Sequence, residues 1–95
     1  MTPQEEIIRA GKAKEVLTNE LFKEAFQTIE GALLAGIRAS AFADEKLREK
    51  LAQRYAALHD IRAALQSVME TGEMAQEMMN RESLLQRAKK VVGFN

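Results

Sequence analysis

The 95-residue chain is long enough for one domain at most, and a chain of this size buries only a modest core as a monomer. Its 14 basic and 14 acidic residues balance, which argues against nucleic acid as the main partner because phosphate binding usually requires a basic excess. The absence of cysteine excludes disulfide bonds and thiolate chemistry, and favours a reducing compartment.

The first predicted element is a short amphipathic helix over residues 3–17. Thr2 is suited to cap it, Pro3 fits the first helical position, and Glu5 completes a capping box. Gly11 lies inside this helix, where glycine is unfavourable. The residues that share its apolar face are Ile7, Ala10, Lys14 and Leu17, with Ile8 beside them.

The second predicted helix covers residues 20–39 and can be capped by either Thr18 or Asn19. Its apolar residues recur at intervals of three and four, which is typical of a helix with one buried face. Residues 40–43 form the predicted turn to the next helix. The apolar positions are Phe22, Ala25, Phe26, Ile29, Leu33, Gly36 and Ile37.

The third predicted helix covers residues 45–80, with Asp44 as its cap, and a further segment covers 82–92. Its heptad-like spacing predicts coiled-coil-like packing. Gly72 is a place where the helix could bend or break, and Gly93 is placed to end the last segment. The apolar seam consists of Leu47, Leu51, Leu58, Ile61, Leu65, Val68, Ala75 and Met79.

These segments predict an all-α fold in a single helical domain, residues 1–95. We expect a helical hairpin made of the second helix and a long third helix, together with a short N-terminal helix. We expect the helices to pack in a coiled-coil-like manner. The predicted core between the two arms is Phe26, Ile29, Leu33, Leu51, Leu58, Ile61 and Leu65.

No constellation of residues in the sequence predicts catalysis, a metal site or a cofactor site. His59 is the single histidine, and its neighbour Asp60 points to a different helix face, so we interpret His59 as a solvated or core-edge residue. The phosphate-binding glycine motifs are also missing. The weakly polar run 31–43 contains Arg38 and is too short to span a membrane. We therefore expect a soluble, non-enzymatic protein without a small-molecule substrate.

A cluster of methionines surrounds Gly72 and can be interpreted either as filling for an irregular core or as an adaptable binding surface. The second helix is shorter than the third, so it leaves the far end uncovered unless the first helix folds back over it. The difference in length between the two helices favours an interface at the uncovered end of the third helix. The predicted interface residues are Met74, Met78, Met79, Leu84, Leu85, Val91 and Val92.

The C-terminal segment, residues 81–95, combines four basic residues with apolar ones. Such a segment can bind an acidic protein, a nucleic acid or a membrane surface. It can equally be a helix terminus whose cations suit the helix dipole.

Several short stretches of helix-packing residues are distributed over most of the chain. They are Ile8-Arg9-Ala10-Gly11 with Ala13, Leu17, Phe22-x-x-Ala25-Phe26, Arg48-Glu49-Lys50-Leu51, Ile61-Arg62, and Glu70-Thr71-Gly72-Glu73-Met74-Ala75. In these stretches the chain resembles a family of small tailed-phage proteins whose genes lie in or near virion-assembly clusters. The resemblance implies a phage or prophage protein of virion structure or assembly, in the bacterial cytoplasm or incorporated in the virion. It implies no catalytic residues.

Two functions of different kinds follow as expectations. In the first, the protein oligomerises with itself or docks on a larger phage assembly protein. In the second, it is a small regulatory module that inhibits or modulates a host protein. The identity of the captured partner distinguishes them, because capsid, portal or packaging proteins indicate the first and a host factor the second.

Overall fold

The computed structural model describes residues 1–92, including the backbone but not the side chain of Val92. Three helices occupy most of this part of the chain: α1 (Pro3–Thr18), α2 (Glu20–Ala39) and α3 (Glu45–Val92). The described residues contain no strand, and the long α3 packs against both shorter helices. The predicted all-α fold and helical hairpin are therefore confirmed.

Side-chain caps begin all three helices, each at a residue that the sequence nominated. The Thr2 hydroxyl accepts a hydrogen bond from the Glu5 backbone N–H at 3.2 Å, before Pro3 enters α1. The Asn19 side chain accepts one from the backbone N–H of Phe22 at 2.9 Å, so Asn19 rather than Thr18 caps α2. Asp44 caps α3 in the same way. Caps are readable from sequence because donor and acceptor lie three residues apart.

Helices α1 and α2 follow one another along α3 and together form one arm of the hairpin, interrupted at Asn19. Gly72 of α3 lies against Ala10 of α1, whereas Leu51 of α3 lies against Gly36 of α2. Residue numbers thus rise along the first arm as they fall along α3, which makes the two arms antiparallel. The molecule measures 79 × 25 × 20 Å.

The third helix is continuous, which corrects the prediction of separate segments over 45–80 and 82–92. Gly72 does not break α3; it is buried where α3 and α1 approach most closely. A Cβ added at Gly72 would overlap the Cβ of Ala10 and lie 2.7 Å from the Glu6 carbonyl oxygen. Glycine is needed here for close packing. The predicted helix end at Gly93 lies outside the described residues.

The predicted core is wrong at two positions, because Ile29 is 50% exposed and Ile61 is 56% exposed. Phe26 is buried, and the four predicted leucines are half-buried. Only two helices lie side by side at any level of the hairpin, so each arm buries one narrow stripe. The apolar residues that flank this stripe remain exposed to solvent. The apolar residues that the fold buries well are Ala10, Ala13, Phe26 and Ala75.

The exposure of Ile61 follows from the position of α2 on α3. Ile61 and Leu47 are 14 residues apart and share one edge of α3, and both are exposed. Phe26 of α2 instead contacts His59 and Arg62, on the other side of the seam. Towards the C-terminal end of α3, α1 covers the continuation of the edge on which Leu47 and Ile61 lie. The break at Asn19 thus separates two helices that share the seam of Leu51 and Gly72 but cover different edges beside it.

The inner face of α1 also differs from the prediction. Ala10 and Ala13 are buried, whereas Ile8 is exposed and Lys14 points to solvent. Small side chains allow α1 to lie close against Gly72, so the larger residues of α1 are displaced to its flanks.

Candidate interaction surface

The folded chain exposes much more surface than a compact protein of its mass. Its accessible surface is 7722 Å², whereas a compact monomer of this mass exposes about 5,500 Å². Its radius of gyration is 21.6 Å, against about 12 Å for a compact domain of this length. Roughly 2,000 Å² of surface per chain is therefore in excess of the usual amount.

A continuous stripe of exposed side chains follows the second half of α3. Met74, Met78 and Leu85 are each between 62 and 65% exposed. They are spaced by four and seven residues, so they lie on one helical face. This face is separate from the one that Gly72 and Ala75 turn towards α1. We call it the C-terminal stripe and define it as Thr71, Met74, Met78, Arg81, Leu85 and Ala88.

The structure divides the predicted interface residues into three groups. Five of them are exposed: Met74, Met78, Leu84, Leu85 and Val91. Met79 is half-buried beside Met1 and Pro3, because α1 folds back over α3 to this point. The uncovered part of α3 is therefore shorter than the unequal lengths of the second and third helices predict. Residues 81–91 are exposed without exception, whereas the side chain of Val92 lies outside the described residues.

An apolar groove runs beside the C-terminal stripe, between the first turn of α1 and α3. Its volume is about 370 Å³. Met1 and Pro3 line one wall, and Met74, Met78 and Met79 line the other. Flexible methionine side chains can adjust to the shape of an incoming apolar group. The groove and the stripe together form a surface suited to a partner helix.

Charge changes sign along the helix that carries this surface. Residues 70–80 contain three glutamates and no basic residue, whereas residues 81–90 contain four basic residues and one glutamate. Within the chain, the Arg81 guanidinium donates to the Glu77 carboxylate at 2.7 Å, where the two segments meet. This segment of α3 is thus electrically polar along its length, with a net charge of zero.

A second groove lies at the junction of the three helices. It has a volume of about 480 Å³, and Leu17, Phe22 and Met69 contribute apolar walls. Met69 therefore belongs to this junction rather than to the C-terminal stripe. Cationic residues Lys14, Lys23 and Arg62 are also part of its lining.

His59 connects α2 with α3 instead of standing alone at the surface. Its Nε2 lies 2.7 Å from the Glu30 Oε2, and both side chains are about one-third exposed. The ring stands edge-on to Phe26, with centroids 5.4 Å apart, and lies 4.4 Å from Tyr55. The sequence could not identify this arrangement, because Glu30 is 29 residues away and belongs to another helix. The surroundings of His59 fit a structural contact between the arms.

The described residues contain no group of three or more histidine, cysteine or acidic side chains that could hold a metal ion. Within residues 1–92, no helix is both long and apolar enough to cross a membrane. No protein-family model, curated protein or solved structure matches this chain.

Proposed function

We propose that this protein is a non-enzymatic assembly protein that acts by binding helices, first of all those of its own copies. The observation that carries the proposal is the excess accessible surface of the chain, together with the exposed apolar side chains Met74, Met78 and Leu85 on the second half of α3. A contiguous apolar patch of more than a few hundred Å² is unusual on a soluble monomer and marks an interaction site. A helix laid along the stripe would bury apolar side chains on both partners.

The biological setting of the proposal comes from the resemblance to small tailed-phage proteins. An elongated helical hairpin that polymerises or docks on a larger component suits a role in virion structure or assembly. The alternative, a regulatory module for a host protein, would use the same apolar groove for a different helix. Capture of tagged protein from cells carrying the intact prophage separates the two. Capsid, portal or packaging proteins would support the first, and a specific host factor would contradict it.

Self-association is tested by light scattering over a range of protein concentrations. We expect the wild type to be a dimer or larger. Changing Met78 and Leu85 together to glutamate should make it monomeric, because two carboxylates would be buried in the contact at a cost of several kcal/mol. Helical content should persist, because glutamate is a good helix former.

The matched control is the double change of Gln76 and Ser83 to glutamate. These residues have the same seven-residue spacing and are exposed, but lie on the opposite face of α3. The control should remain associated. If the wild type is monomeric at every concentration and captures no assembly protein, the proposed function is wrong.

A further inference from the structure

We propose that the groove at the junction of the three helices binds a free medium-chain fatty carboxylate. We call it the junction groove and define it as the space of about 480 Å³ between Leu17, Phe22, Arg62 and Met69. The inference concerns a second binding site of the chain. It goes beyond the proposed function and does not depend on self-association.

The junction groove forms where the first arm changes edge on α3. Helix α1 ends at Thr18 and α2 begins at Glu20, and residues of both helices and of α3 line the groove. It is therefore a local space enclosed by three helices, not a furrow along the molecule in which a long partner helix could lie. Its volume is within the range of about 300–1,000 Å³ that is usual for small-molecule sites.

The walls of the junction groove suit the apolar part of such a ligand. Phe26 is buried, and Leu17, Phe22 and Met69 are half-buried, so the groove offers apolar surface that the fold has not covered completely. An alkyl chain laid against these side chains would be removed from water, as would the walls themselves. The flexible side chain of Met69 can adjust to the shape of the chain.

The charges of the lining select an anion as the polar part. Lys14, Lys23 and Arg62 line the junction groove, and no carboxylate of the described residues does. The ion pairs within residues 1–92 join Glu30 to His59 and Glu77 to Arg81. The three cations of the lining are thus available to an anionic ligand, and they attract it before contact because all carry the same sign.

Arg62 is the best placed of the three cations to hold a carboxylate. Its guanidinium carbon lies 5.4 Å from the centroid of the Phe26 ring, on the apolar wall of the groove. A guanidinium that contacts an aromatic ring still has N–H groups at its edge, and their fork matches the two oxygens of a carboxylate. We therefore expect the carboxylate at Arg62 and the alkyl chain against Phe22 and Met69.

Isothermal titration calorimetry with decanoate, kept below the concentration at which it forms micelles, tests the proposal. We expect saturable binding of one decanoate per chain. Octanoate should bind about fifteenfold more weakly, because each methylene group removed from an apolar contact costs about a factor of four in affinity. Decyltrimethylammonium has the same alkyl chain with a cationic head and should not bind at this site.

Gln66→Glu locates the ligand, because Gln66 lines the junction groove and the two side chains have nearly the same shape. The new carboxylate would repel the ligand and would pair with Arg62, four residues earlier on the same helix. We expect decanoate to bind at least about fivefold more weakly. The matched control is Gln53→Glu, at an exposed position of α3 away from the groove, which should bind decanoate like the wild type.

Arg62→Gln tests the cation itself and should weaken decanoate binding about fivefold. Its control is Arg54→Gln, which removes an exposed arginine from the same helix and should change nothing. Circular dichroism verifies that all four variants stay helical. Equal decanoate affinities of Gln66→Glu and Gln53→Glu, or undiminished binding of decyltrimethylammonium, would overturn the proposal.

Two further probes distinguish a free fatty carboxylate from other anionic partners. One is vesicles of phosphatidylcholine and phosphatidylglycerol in equal parts, and the other is a short peptide of alternating glutamate and leucine. Binding of either that is lost in Gln66→Glu, without saturable binding of decanoate, would assign the groove to a membrane surface or to a protein and overturn the proposal. Light scattering under the same conditions reports self-association separately, so the proposed function is tested independently.

Discussion

Replacing Gly72 by alanine tests the close contact between α1 and α3, which places the whole first arm. In an open helix this change raises the free energy of unfolding by about 1 kcal/mol, because alanine is the better helix former. At Gly72 the new Cβ would overlap the Cβ of Ala10 and lie 2.7 Å from the Glu6 carbonyl oxygen. Neither neighbour is the free end of a flexible side chain, so α1 must move.

Overpacking of this kind costs about 1–3 kcal/mol, and the rigid neighbours place Gly72 in the upper part of that range. After the gain in helix propensity, we expect Gly72→Ala to lower the free energy of unfolding by about 1–2 kcal/mol. Urea denaturation followed by circular dichroism measures the change. All variants must be compared at one protein concentration, because self-association would make stability depend on concentration.

Gly11→Ala is the matched control, because nothing lies within 4 Å of a Cβ added there. It should raise the free energy of unfolding by up to about 1 kcal/mol, and Gly31→Ala, which is equally unobstructed, should do the same. If Gly72→Ala raises the urea midpoint as much as these two variants do, α1 does not lie against Gly72 and the reasoning is refuted.

Two further predictions concern the contact between α2 and α3. Phe26→Ala should lower the free energy of unfolding by about 3–5 kcal/mol because Phe26 is buried, whereas Ile29→Ala, on the exposed flank one turn away, should change it by less than about 0.5 kcal/mol. Equal urea midpoints for the two variants would contradict the position of α2. His59→Ala should lower the melting temperature by a few degrees, through loss of its contacts with Glu30 and Phe26, without changing the oligomeric state in light scattering. Loss of association with unchanged stability would give His59 a role at an interface instead.

The features that the sequence predicted correctly depend on neighbours a few residues apart. Thr2, Asn19 and Asp44 cap helices because their side chains reach a backbone N–H three residues later. The helical apolar periodicity has the same local origin. These signals determine where helices begin and which face is apolar, and they were sufficient to predict the all-α fold.

The errors concern which edge of a helix its neighbour covers. Ile61 and Val68 are seven residues apart on one edge of α3, and their apolar character is the same. Ile61 is exposed beside α2, whereas Val68 is half-buried beside α1. The difference arises from the break at Asn19, after which the first arm continues on another side of α3. No periodicity within α3 contains that information.

Gly72 shows the same limitation for a single residue. Helix propensity makes an internal glycine a possible break, and the structure instead uses it for the closest approach of two helices. The reason lies in Ala10, 62 positions earlier in the chain. Met74 and Met78 are a similar case, since the sequence predicts their apolar character but not that α1, which reaches Met79, lies on another face of α3.

The break at Asn19 also explains why the chain exposes so much apolar surface. A straight first arm would cover one edge of α3 throughout and leave the opposite edge free to be polar. Because α1 and α2 cover different edges, the apolar edge that α1 covers is left exposed beside α2, at Leu47 and Ile61. Met74 and Met78 lie on a further face of α3 that neither helix covers. A second chain laid on these faces would cover them, which is the physical basis of the proposed self-association.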